Sequence, residues 1–353
     1  MTHVKPTDIR KQEGFAFSGP LIRDKLFFFF ALDRYYRDFP IVTVPNSPAN
    51  FYAIPSSSLP AGKTCPSANA SAPITATNDP NFFADNSACT LQSQLKLATY
   101  SAAVTKYING QAGLSSLLGQ ASRFTDQTLF FPKIDWQING RNHLSGEVNR
   151  LRFISPSGQQ TNVTAQYGTQ SIGNVYARDT WGVARLDTTI TSTLANEVRY
   201  QYGRDFEFAG PETPTPYERN TLLQPPGYTN SFGIPPNVNI SGAFQFGTAT
   251  FYPRPAYPDE RRWQITDTAN YVRGKHSFKF GIDYIHTNDL SQNISNYFGA
   301  YSYTSTANYL TDYYQSQNAA TASLPGHYST YNQGFGPLGF EFQTGDYAGF
   351  IQD

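Results

Sequence analysis

The sequence is short of charge, of sulfur and of long apolar runs. Of 353 residues only 15% are Asp, Glu, Lys or Arg, where soluble domains carry about a quarter. Its 26 cations balance 26 carboxylates to a formal net charge of zero, so no overall field draws it onto nucleic acid, and none is expected as a partner. The longest apolar stretch, Leu26 to Leu32, falls far below the roughly 20 residues that a membrane-spanning helix needs. That excludes a helical membrane protein. Residues Met1 to Glu13 contain no apolar segment of the kind a secretory signal carries. The chain is therefore expected either to stay inside the cell or to begin downstream of its natural N-terminus.

Only two cysteines occur, Cys65 and Cys89, in a stretch rich in Ser, Ala, Asn and Pro that suits a loop. A structural zinc site needs about four ligands, and the nearest histidines are His3 and His143. A disulfide pinning a long exposed loop is the expectation, and it requires an oxidising compartment. Two free thiols are the alternative.

Traces of catalysis are missing as well. Neither HExxH nor GxSxG occurs, and the five histidines are scattered. Gly62-Lys63-Thr64 ends like a phosphate-binding loop, but Ser57 stands where that motif needs its first glycine. Gly334 to Gly339 fits GxGxxG, yet Pro337 interrupts it and a strand pattern follows where a dinucleotide fold needs a helix. No enzyme, cofactor or metal site is expected.

What the sequence does contain is alternation, the mark of strands with two unlike faces. Phe130, Pro132, Ile134, Trp136 and Ile138 fall on one face of a run whose other face carries Phe131, Lys133, Asp135 and Gln137. Asn139-Gly140 then signals a hairpin into His143 to Phe153, where Leu144 and Val148 oppose Ser145, Glu147 and Asn149. The same grammar returns in Arg178 to Thr189 and Asn196 to Phe208 about a turn at Thr191 to Thr193, with Val198, Tyr200 and Tyr202 against Glu197, Arg199 and Gln201. It returns again in Trp263 to Val272 and Ser277 to His286 about Gly274-Lys275, where Phe278, Phe280, Ile282 and Tyr284 oppose Ser277, Lys279, Gly281 and Asp283. A pair at Gly14 to Gly19 and Leu26 to Phe39, and a last run Phe340 to Ile351, bring the count to about nine strands.

The connections alternate in length. Short turns follow the odd strands, while long loops over 40–125, 156–177, 211–260 and 294–339 follow the even ones. Loops above about 15 residues are uncommon in compact soluble domains, but short turns on one side and long loops on the other characterise outer-membrane barrels. Composition of the faces agrees: Tyr, Phe and Trp dominate one, and the charged residues lie on the other. Lipid outside and a watery lumen inside explain that split, against the competing reading of an ordinary antiparallel protein with aromatic-rich strands. On the barrel reading Lys133, Asp135, Glu147, Glu197, Arg199, Lys279 and Asp283 face the lumen, and Tyr35, Tyr36, Trp136, Trp181, Trp263 and Tyr271 suit interfacial girdles. Asp135, Asp187, Glu197 and Asp283 are then solvated wall residues; a glycosidase would need two carboxylates roughly 5–10 Å apart in a cleft.

In the loops, Leu91 to Ala121 is the one stretch with helical spacing, with Leu91, Leu95, Ala98, Ala102 and Ile108 along one stripe. Residues 297–331 are rich in tyrosine. Tyr297, Phe298, Tyr301, Tyr303, Tyr309, Tyr313 and Tyr314 are candidates for stacking on sugar rings or other planar ligands, with self-packing of the loop as the alternative.

The opening GFAFSGPLIRDKLFFFFALDRYYRD, Gly14 to Asp38, resembles the first barrel hairpin of Oar-like TonB-dependent transporters, with Ser18 in place of a glycine. FFPKIDWQINGRNHLSGEVNR, Phe130 to Arg150, is similar to that family's next hairpin, and YVRGKHSFKFGIDY, Tyr271 to Tyr284, to its Gly-Lys-His-Ser-Phe-Lys-Phe-Gly hairpin. DYAGFIQD, from Asp346, looks like a following strand cut before its usual aromatic. The resemblance implies a Gram-negative-type outer-membrane receptor with a plug in its lumen, coupled through that plug to a TonB complex and taking up an extracellular small-molecule or oligomeric substrate. No plug candidate precedes Gly14, so residues 1–353 are expected to be the N-terminal part of such a barrel, with signal peptide, plug and later strands lying elsewhere. The alternative is a secreted or surface β protein that binds carbohydrate through its tyrosine-rich loops.

Overall fold

The computed structural model describes residues 7–158, 162–220, 234–318, 320–322 and 324–353. It is all-β in its main body, a single nine-stranded antiparallel sheet in which each strand pairs with the next along the chain. The strands are β1 (Ile9–Ile22), β2 (Leu26–Asp38), β3 (Phe124–Asn139), β4 (Asn142–Ser155), β5 (Asn174–Thr191), β6 (Leu194–Gly210), β7 (Asp259–Arg273), β8 (His276–Gln292) and β9 (Gly339–Gln352). Among the described residues β1 and β9 form the two edges, each with one unpaired side.

At 13 to 18 residues the strands are longer than the roughly 9–11 that cross a bilayer. Four tight turns close one end, and two sit slightly off the expected positions. The first hairpin extends to Ile22, where the amide of Lys25 donates to its carbonyl at 3.1 Å. The next turn is centred on Gly140-Arg141 rather than Asn139-Gly140, because the Asn139 carboxamide oxygen accepts the amides of Arg141 (2.9 Å) and Asn142 (3.0 Å) and holds Asn139 in the strand.

Register fixes the faces. Ile134, Gly146, Ala184, Tyr200, Ile265, Tyr284 and Tyr347 lie in one row across seven strands, and Phe15 and Phe17 of β1 meet Leu32 and Phe30 on the same side. Aromatic rings meet along it: Trp263 packs edge-on against Tyr284 at 4.9 Å, and Tyr284 lies tilted against Tyr347 at 4.6 Å. Tyr36, Trp136, Trp263 and Tyr271 share this apolar face. Tyr35 and Trp181 do not, since they pair with Gln127 and with Asn149 and Gly203 on the polar one. The Trp181 indole lies over Gly203, where a Cβ would come within 2.4 Å of the ring, so the glycine supplies room that no larger residue leaves.

Charge is not confined to one face, contrary to the expectation from alternation. Arg150, Arg152, Arg178, Arg204 and Arg261 stand on the apolar side toward the long loops. They lie on the long-loop side of each strand, beyond the stretch where apolar and polar residues alternate cleanly. Asp267 interrupts the face lower down and takes a hydrogen bond from the Asn196 carboxamide.

The four long connections fold into one cap. In the first, the helical signal read as a single element over Leu91 to Ala121 is two helices, α1 (Phe82–Gln94) and α2 (Tyr100–Ser115). Lys96 at φ +53° turns the chain between them, and Thr99 starts α2 by accepting the Ala102 amide at 3.2 Å. That break resets the helical phase. The buried stripe of α2 becomes Ala103, Val104, Tyr107, Gly110 and Leu114, while Ala102 and Ile108 face out, and Gly119–Ala121 is a short strand. A further helix, α3 (Thr306–Ser316), is capped by Ser305 and belongs to the tyrosine-rich loop.

Short strands tie the loops together. Asn237–Ile240 pairs in parallel with Ala300–Tyr303, flanked by Gln245–Phe246 and Thr330–Asn332. Ile41–Thr43 lies between Gly119–Ala121 and Thr164–Ala165. Side chains from three loops share one core, including Phe51, Leu114, Ile240, Phe244, Tyr309 and Leu310. Gly110 lets α2 approach α3, since a Cβ there would sit 2.5 Å from Leu310.

Candidate functional site

The polar face of the sheet carries a chain of charges across four strands. Lys133 is 3.4 Å from Asp135, and His143 lies between Asp135 (3.8 Å) and Asp187 (3.5 Å). Arg185 bridges Asp187 (3.0 Å) and Glu197 (3.9 Å), and Glu197 continues to Arg199 at 2.9 Å. These side chains are each about a third exposed or more, so an individual pair is worth about 0–1 kcal/mol. Their contribution is a hydrated wall of alternating sign, and Lys133, Asp135, Arg185 and Arg199 with Glu147 line a polar hollow of about 290 Å³. Further along, Gln264 donates to Asp283 at 2.9 and 2.7 Å, and the Lys279 ammonium lies 5.9 Å from the Phe350 ring. All seven residues read as one face from the sequence, Lys133, Asp135, Glu147, Glu197, Arg199, Lys279 and Asp283, stand on this side of the sheet.

A second band was not foreseen. Nearer the long loops, Asp179 faces Asp205, Asp205 faces Glu260, and Glu260 faces Asp289, one carboxylate on each of four adjacent strands. Register was the signal, for these residues are far apart in sequence and meet only once strand partners are known. Among the described residues no group of three or more His, Cys, Asp or Glu side chains is arranged to hold a metal ion.

The tyrosine-rich loop is built inward. Phe298, Tyr301, Tyr303 and Tyr309 are buried, while Tyr297, Tyr313 and Tyr314 are half-buried. Tyr301 packs against Tyr328 and Tyr331 at 5.2 and 4.7 Å, and Tyr309 against Phe246 and Tyr303 at 5.4 and 5.5 Å. The Tyr303 hydroxyl donates to Asp312 at 3.0 Å; burial first and that carboxylate second push it well above the usual tyrosine range. Asp312 also accepts the His327 backbone amide and lies 2.7 Å from its Nδ1, which ties the segment after α3 back onto the helix. The rings of Tyr301, Tyr303 and Tyr309 are committed to the cap core and present no stacking face, a departure from the ligand-contact expectation. Tyr314 packs against the same core and donates to the Lys106 carbonyl at 2.7 Å.

Cys65 and Cys89 are bonded, joining the segment before α1 to α1 itself. A crosslink closing 24 residues stabilises by about 3 kcal/mol, chiefly by restricting the unfolded chain. Cys65→Ser with Cys89→Ser is expected to speed proteolysis within residues 52–95 and leave the sheet unchanged. Unaltered cleavage of that segment would contradict this.

A sheet with one apolar and one hydrated face, tight turns at one end and a folded cap at the other defines an outer-membrane β-barrel wall. The chain belongs to the outer membrane beta barrel domain family, which it matches over residues 2–353. It is an outer-membrane protein. Among solved structures it is similar to the outer membrane transporter YddB from Escherichia coli, at 12% identity and a TM-score of 0.42, covering 98% of this chain and 32% of that one. The chain thus spans about a third of that protein's length. No curated protein is significantly similar to it.

Proposed function

We propose that the chain is the N-terminal part of the barrel of an Oar-like TonB-dependent receptor. In that reading its polar face lines the lumen against a plug, a TonB complex supplies the force that opens the path, and its loops close over an extracellular substrate. The observation that supports the proposal is that, among the described residues, the nine-stranded wall has two unpaired edges. Lipid does not tolerate open edges, which favours a wall completed by further strands. The four motifs that resemble the Oar-like receptors fall on strands β1 to β4 and β7 to β9 of that wall. A carbohydrate-binding surface protein is less favoured, because the tyrosines it would use are mostly core. No enzyme activity is assigned: Asp135, Asp187 and Glu197 belong to an ion-paired wall.

The test expresses the full-length protein in an outer membrane and follows uptake of a panel of siderophores, oligosaccharides, peptides and cobalamins. Uptake of at least one is expected to fall by about tenfold or more when the proton-motive force is dissipated or the coupling complex deleted. Steady ion conductance in a planar bilayer, with uptake indifferent to energisation, would make the barrel a passive pore instead.

A further inference from the structure

The outer wall carries a cationic cluster that the transport reading does not use. Arg152 on β4 stands directly opposite Arg178 on β5, and Arg150 is one pleat away on the same face. Like charges directly opposite across a sheet destabilise it. All three arginines are exposed, and among the described residues none has a hydrogen bond or ion pair. The nearby carboxylates of this face have closer guanidinium partners: Asp126, which also feels the charge of Arg152, accepts Arg34 at 3.1 and 2.8 Å, and Asp259 is shared by Arg204 at 2.7 Å and Arg261 at 3.2 Å.

Directly below the cluster lies a groove of about 430 Å³ in the apolar face. Its walls are Pro132 and Ile134 on one side and Tyr200 and Tyr202 on the other, and Gly146 and Gly182 lower its floor. Register continues the groove into the cluster: Val148 faces Gly182 one step below the row where Arg150 faces Thr180. Cations above and a trough below reproduce the two halves of an anionic lipid. The cluster sits toward the long loops, which is the extracellular end of such a barrel, so the leaflet is the outer one.

We propose that Arg150, Arg152 and Arg178, with the groove beneath them, hold a phosphate-bearing acylated lipid of the outer leaflet against the barrel wall. Guanidinium groups bind phosphate oxygens in forked pairs, and one phosphate between Arg152 and Arg178 removes their repulsion. An acyl chain fills the trough, where the glycines leave space that neighbouring strands fill with side chains. The inference depends on the barrel wall and its orientation, and it stands whether or not uptake is energy-coupled.

The test uses the full-length protein in detergent, titrated with phosphorylated lipid A, with the same lipid dephosphorylated, and with inorganic phosphate as competitor. Wild type is expected to bind the phosphorylated lipid at least tenfold tighter than the dephosphorylated form, undisturbed by millimolar phosphate. The triple variant Arg150→Gln, Arg152→Gln, Arg178→Gln is expected to lose at least tenfold in affinity, with Arg273→Gln at the turn end as an unaffected control. Gly182→Val, which fills the trough and keeps the arginines, is expected to cost several-fold. Should the triple variant fail to fold, Arg178→Gln alone carries the same test with a loss of about threefold. Binding unchanged in the arginine variants, equal affinity for the dephosphorylated lipid, or displacement by inorganic phosphate would each overturn the proposal, the last by reducing the cluster to a simple anion site.

Discussion

Ile265→Arg is expected to destabilise the full-length barrel by about 2–4 kcal/mol in lipid vesicles, the cost of a cation at the apolar belt of a membrane barrel. Ile265 sits in the row between Tyr200 and Tyr284 and is 41% exposed on the sheet face. In water that exposure would make the substitution nearly neutral, since surface changes usually stay within about 0.5 kcal/mol. In lipid it removes an apolar contact with acyl chains and puts a guanidinium where no water reaches. Thr268→Arg is the matched control: it lies three residues along the same strand, faces Glu197 on the polar side, and is expected to change stability by less than about 0.5 kcal/mol. Denaturant unfolding from vesicles measures both. Equal effects of the two substitutions would mean that the apolar face does not meet lipid, and the assignment of inside and outside would fail.

The contrast between those two positions explains what was legible in the sequence. A strand with lipid on one side and water on the other must alternate, and β3 and β8 alternate without exception over Ile134 to Ile138 and Ser277 to Tyr284. Strand number, pairing order and the sharing of one face by the residues from Lys133 to Asp283 were therefore readable. The loop-side halves were not, because there both faces meet polar surroundings and the alternation lapses; Arg150, Arg152 and Arg178 share a face with Val148 and Gly182 only by register. Trp181 misled for a related reason. An aromatic near a strand end reads as an interfacial residue, whereas its place is set by the hole that Gly203 leaves on the polar side. The cap was hidden more deeply. Its strands are two to four residues long and come from different loops, too short for any period, and a helix broken at Lys96 keeps composition but loses phase. Tyr301, Tyr303 and Tyr309 looked like a binding surface because a tyrosine's two ends suit both a core and a ligand, and only the partner loops decide between them.

Those partner loops supply the other large effect. Tyr309→Ala is expected to cost the cap about 3–5 kcal/mol, the usual range for emptying a buried aromatic site. Tyr309 is fully buried, its ring meets Phe246, Tyr303 and Tyr313, and its hydroxyl lies 3.1 Å from that of Tyr217. Those neighbours come from two different connections, so the cavity would loosen the joint between loops rather than one loop alone. Tyr309→Phe keeps the ring and gives up only the hydroxyl contact, at about 0.5–1.5 kcal/mol. Hydrogen exchange resolves the two variants by place: with Ala, amides of α2, α3 and the strand Ala300–Tyr303 should exchange faster while those of β5 to β8 stay protected, because the sheet's own ladder does not pass through Tyr309. Faster exchange throughout the sheet would show that cap and wall fold as one unit, and no change in α2 would show that the loops do not share a core. A cap that melts separately from its wall is also what a receptor needs if its loops are to move over a substrate without opening the barrel, so the local stability that exchange would read bears directly on whether the proposed uptake is mechanically feasible.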